Sequence, residues 1–201
     1  MVTKIQLSPA EMNLMCDPGI ILTKNVVMEK TRRLLEEAQG QMLTYINRHG
    51  FLKDWTELNI PPKISKGENY RGLPYLILDY PRVFRQHDTF AIRSFFWWGH
   101  FFSSACQLAG VYKEKMQGAI IQAYAQLAPH HYVNVSTDPW QHHFEEDNYR
   151  PIASFSPMAF EQHILKQDYI KIAAKYPLSD WHSAANFLFH NWKLWMEMVD
   201  S

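Results

Sequence analysis

Apolar positions recur along this chain first with a helical period, then with the two-residue period of strands, then with a helical period again. The segment Ser8-Pro9-Ala10-Glu11 has the chemistry of a helix start. Ser8 can accept a free backbone N–H, Pro9 suits the first helical position, and Glu11 completes a capping box. Asp17-Pro18-Gly19 then reads as a turn. A longer helix is predicted over 25–48 and ends at Gly50, because Val27, Leu34, Ala38, Met42 and Tyr45 line one face. Glu29 and Arg33 sit four residues apart in the favourable order on the solvent side.

Residues 53–73 carry loop chemistry, with Pro61-Pro62, Gly67 and Arg71-Gly72. Strands are predicted over 73–80, 89–98 and 101–109. In the first, Tyr75, Ile77 and Asp79 share one face and Leu76, Leu78 and Tyr80 the other. Pro81 should end that strand or confine it to an edge. Residues 85–88 read as a connecting turn and Gly99-His100 as a tight hairpin, the alternative being one buried helix over 95–108. Helical spacing returns at Met116, Ile120, Tyr124 and Leu127, and Pro129 stops it. A fourth strand is expected over 131–136, while 140–153 is polar and without a clear period. Ser156-Pro157 opens a helix expected to reach about 175. Trp181, Ala185, Leu188, Trp192, Trp195 and Val199 then mark a last helix. That order implies an α+β fold. An antiparallel, aromatic-rich sheet of 3–5 strands lies mid-chain, packed by helices from both termini, and residues 1–201 are expected to form one domain.

Composition narrows the function classes. Lys+Arg and Asp+Glu balance at 20 each, so the surplus of cations that nucleic acid demands is missing. Only 8 Gly occur, where average usage of ~7% would give roughly 14, and no phosphate-cradling glycine motif is present. No apolar run has the length of a membrane span, and Met1 is not followed by a signal-like stretch. Cys16 and Cys106 are expected to be buried, reduced thiols, which with the rest predicts a cytoplasmic protein.

Aromatics depart furthest from an even spread. Residues 75–102 hold ten in 28 positions, where the overall 14% would give roughly four. Alternation sends them to both faces of the sheet, although an antiparallel sheet normally keeps one face wet. One face should lie under the Trp-bearing last helix. The second, framed by Arg71, Tyr75, Arg93 and Trp97, is either covered within the chain or receives a small apolar or aromatic molecule or a partner such as a second copy. The main expectation is therefore a non-catalytic binding module. Within the ring block, Asp79 and Arg93 should form a cross-strand ion pair. The alternatives are an anion site of Arg82 with Arg93, or an enzyme using Asp79, Arg93 and His100. Metal chemistry has one candidate region. His130-His131 precedes His142-His143-Phe144 and three consecutive carboxylates, so His131, His143 and Glu145 are candidate ligands. Neither an H-E-x-x-H motif nor the cysteine pair of a zinc deaminase accompanies them.

Overall fold

A computed structural model describes residues 5–50 and 60–199. The expected loop at 53–59 lies outside them. Helix α1 (Pro9–Cys16) starts as expected, with both reciprocal hydrogen bonds of the Ser8–Glu11 capping box. Helix α2 (Pro18–His49) begins seven residues earlier than its apolar stripe suggests. Asp17-Pro18-Gly19 is a helix start and not a turn: Asp17 caps the Gly19 amide and Pro18 occupies the first turn. Gly50 ends α2 in the left-handed conformation at φ 69°.

The sheet has seven strands, more than the 3–5 expected. Strands β1 (Lys63–Tyr70), β2 (Leu73–Phe84), β3 (Thr89–Trp97) and β4 (Phe101–Ala109) run as an antiparallel meander. After helices α3 (Val111–Gln122) and α4 (Tyr124–Leu127) come the short strands β5 (Tyr132–Asn134) and β6 (Tyr149–Pro151). Helix α5 (Pro157–Lys166), strand β7 (Tyr169–Pro177) and helix α6 (Ala184–Val199) complete the chain, and the strand order is β1-β2-β3-β4-β7-β5-β6.

Three departures from the sequence reading have local causes. Strand β1 occupies a stretch expected to be loop; it is a polar edge strand whose Gly67 is needed because a Cβ there would collide with the Tyr75 ring. Pro81 does not end β2, which runs on to Phe84; it lies just past Asp79, the last β2 residue paired with β1, and at a register shift against β3 between Asp79 and Arg82, where its missing N–H is tolerated. The helix expected over 157–175 stops at Lys166, and its second half is β7, where Ile170, Ile172 and Ala174 alternate with Lys171 and Ala173. Trp181 correspondingly falls in a 3₁₀ segment before α6.

One face of the sheet carries Leu76, Leu78, Phe90, Ile92, Phe96, Phe102, Cys106, Leu108, Ile170 and Ile172, all buried in one core with Leu35 and Met42 of α2 and Leu188, Trp192 and Trp195 of α6. Burial pushes the Cys106 thiol up, whereas Cys16 is exposed, contrary to expectation. Among the described residues no helix is long and apolar enough to cross a membrane.

Candidate functional site

The opposite face of the sheet is built from the alternate residues of the same strands. Register places Asp79, Arg93, Ala105, Ala173 and Tyr132 in one row across β2, β3, β4, β7 and β5. Tyr75, Trp97 and Phe101 form a row nearer one end, and Ala91, Gln107 and Lys171 one nearer the other. Among the described residues no helix covers this face. Its cover is the connector between β5 and β6, residues 135–148, which contains no helix or strand.

Asp79 and Arg93 pair as the sequence suggests. Arg93 donates through Nε to Oδ1 at 2.7 Å and through Nη2 to Oδ2 at 3.0 Å, and both side chains are only 13% exposed. The two-pronged geometry satisfies two oxygens with one planar group, which is why an Arg is tolerated among rings. Phe84 and Trp140 lie 5.9 and 5.7 Å from the guanidinium carbon, while remaining 42% and 51% exposed themselves. Arg82 does not join Arg93; it donates to the Pro61 carbonyl.

The connector is fastened by hydrogen bonds. Lys171, 2% exposed, donates from Nζ to the carbonyls of Pro139 (2.7 Å) and Gln141 (2.6 Å). Burial, reinforced by the Arg93 charge and opposed by Asp138, holds the Lys171 amine down to about 7. The Tyr70 hydroxyl accepts the amides of His142 and His143 at 2.7 and 3.0 Å. Two connector rings press on the sheet's rings. His142 lies 4.7 Å from Phe95, and Phe144 stacks on Tyr149 at 4.7 Å and meets Phe101 and Tyr132 edge-on. Burial, then the Lys171 and Arg93 charges, push His142 well below the ordinary imidazole range. His142 is thus a neutral ring 3.4 Å from Arg93 Nη1.

The remaining candidates separate into groups. Arg71 sits in the two-residue turn joining β1 to β2, where Arg71 and Gly72 both have positive φ (50° and 84°), as a twisted hairpin requires. From there it reaches Glu145 Oε1 at 2.7 Å. Tyr75 packs against Phe95 and Tyr70, and the Trp97 indole donates to the Tyr70 carbonyl. His100 stacks on Trp97 at the β3–β4 hairpin, centroids 3.5 Å apart, and is not joined to the Asp79–Arg93 pair. His142 takes the place expected for it, a residue the strand pattern could not reach because the connector has no period.

His131 is also apart from the other metal candidates. Its ring nitrogens face the Leu127 carbonyl and Asn191 Oδ1, and it lies edge-on to Trp195. His143 and Glu145 do come together, and Asp147 joins them: His143 Nδ1 is 3.7 Å from Glu145 Oε2 and 3.7 Å from Asp147 Oδ1. A groove of about 520 Å³ lies on the helix side, between α2 and α6, lined by Thr44, Tyr45, His49 and Phe189 among others. It shares no residue with the connector-covered face. Comparison of the chain with protein-family models, with curated proteins and with solved structures gives no match in any of the three.

Proposed function

We propose that the chain is a non-catalytic binding module. Its ligand surface is the ring-lined sheet face, its cover is the 135–148 connector, and its ligand is a small aromatic or apolar molecule. One observation carries this reading: the face is closed by an irregular segment that lays His142 and Phe144 on sheet rings, as a flat guest would lie. A cover of this kind is held by a few polar contacts, so its displacement costs those contacts and not a helix interface. Phe84 and Trp140, both exposed beside Arg93, form the rim from which a ring could enter. The enzymatic alternative through Asp79, Arg93 and His100 has less support, because His100 is occupied with Trp97 at the hairpin.

The test is Trp fluorescence during titration with small aromatic and apolar metabolites, for the native chain and for Phe144→Ala. Removing the Phe144 ring vacates a stacking position, so saturable quenching is expected, with about tenfold tighter binding in the variant. Absence of saturable change in both proteins overturns the reading. Light scattering on the same samples separates a small-molecule response from pairing of two chains.

A further inference from the structure

We infer that His143 Nδ1, Glu145 Oε2 and Asp147 Oδ1 form the binding site of one divalent transition-metal ion of the zinc class. His143 is 4% exposed in its side chain, and its Nδ1 is buried with no hydrogen-bond partner. Buried polar atoms in native proteins are satisfied as a rule, so an orphaned imidazole nitrogen has to be explained. Other histidines of the chain show the ordinary solution: His131, His163 and His190 each place a ring nitrogen against a carbonyl or amide oxygen. His143 instead directs Nδ1 at two carboxylates, and the three ligand atoms lie within 4.8 Å of one another.

The spacing matches metal ligation better than hydrogen bonding. A hydrogen bond from Nδ1 would bring a carboxylate oxygen to about 2.7–2.9 Å, whereas both lie at 3.7 Å. Ligands held at about 2.1 Å around a tetrahedral zinc stand about 3.4 Å apart. Both distances from Nδ1 are thus within a few tenths of an ångström of that spacing, and the two carboxylates, on exposed side chains, are free to adjust toward each other.

The backbone around the three residues is held in place. Asn148 donates from Nδ2 to the His143 carbonyl at 2.5 Å and accepts from Asn134 Nδ2 at 2.7 Å. The amides of Asn148 and Tyr149 both return to the Glu145 carbonyl, at 3.0 and 2.9 Å. Glu145 is oriented by Arg71, which holds Oε1 and leaves Oε2 for the ion, an outer-shell arrangement typical of ligating carboxylates. One imidazole with two carboxylates suits zinc and its first-row neighbours, whereas magnesium and calcium prefer oxygen alone. Glu145 and Asp147 are 63% and 71% exposed, so an ion can enter from solvent and retain water at its open positions. When bound, it would fasten the end of the connector beside the β1–β2 turn.

Isothermal titration of zinc chloride into the tag-free, chelator-washed full chain tests this without any small-molecule ligand, so its outcome is separate from that of the binding-module reading. One equivalent is expected, with affinity at least tenfold weaker in Glu145→Gln and in Asp147→Asn. Both side chains are exposed, so neither variant endangers the fold. Imidazole ¹⁵N spectra should show the zinc-dependent shift at Nδ1 of His143. Equal affinity in both variants, a shift confined to other histidines, no saturable heat, or an equal response to magnesium would each overturn the assignment.

Discussion

The two faces of the sheet are buried by opposite means. On the helix side, aliphatic and aromatic residues of β2, β3, β4 and β7 meet α2 and α6 in one dry cluster. On the connector side, an ion pair, a lysine amine and the Tyr70 hydroxyl are interleaved with rings, and the cover is irregular. The first face is held by area, which is non-directional and insensitive to pH. The second is held by particular donors and acceptors, each removable by one atom or one proton. That contrast places adhesion on one side of the sheet and responsiveness on the other.

The comparison breaks most readily at the extremes. Trp192 is fully buried and donates from its indole to the Tyr80 carbonyl, so Trp192→Ala should cost about 3–5 kcal/mol in urea unfolding. Phe144→Ala on the other face should cost clearly less, and equal losses would show the two covers to be equivalent. Arg93→Ala leaves Asp79 largely buried and uncompensated, which predicts a loss of about 3 kcal/mol. Replacing both members by apolar residues should restore much of that loss, and a double variant as unstable as the single one would argue against it. Tyr70→Phe deletes the acceptor for two connector amides and should cost about 1–2 kcal/mol, with faster hydrogen exchange confined to 138–148.

Protons act on the connector side. His142 and His143 have imidazole pKa values below 6.5, so the folded state binds fewer protons than the unfolded one just under that pH. Their contribution to stability is present above about pH 6.5 and falls as the solution is acidified below it. Lys171 follows the same rule in another window: its amine is held near 7 against an unfolded 10.5, so stability should rise with pH between those values. Lys171→Met should flatten that slope in thermal melts at pH 7, 8 and 9, and an unchanged slope would exclude Lys171 as its source. This is the smallest of the expected effects at neutral pH.

The difference between the faces also explains what could be read from the chain. The helix side was legible because it is periodic: α2, the meander β2–β4 and the α6 stripe all follow from the spacing of apolar residues. Asp79 and Arg93 were legible as partners because β2 and β3 fix their register. Strand β7 was hidden because no Gly or Pro separates it from α5; Gln167-Asp168 alone make the break, and Lys171, buried between Ile170 and Ile172 on the face opposite the helices, gives the run no sign that both faces are covered. Strand β1 was hidden by its polarity, being an edge with one neighbour. The contacts of His142, the grouping of Asp147 with His143, and the separation of His131 from both depend on the path of an aperiodic connector, which local spacing does not specify.

Helix α2 has a second property besides packing. Its first buried residue is Met28, while Ile20, Ile21, Leu22 and Val26, with Met12, Leu14 and Met15 of α1, stand 44–65% exposed. From Pro18 to Val27 about 15 Å of helix thus precedes the core, at 1.5 Å per residue. The helix is unbroken to His49, and its later residues Leu35, Ala38 and Met42 are locked against the sheet. A force applied to this greasy handle is therefore carried along a continuous hydrogen-bonded rod into the helix-side core, which makes the handle a lever and not a tether.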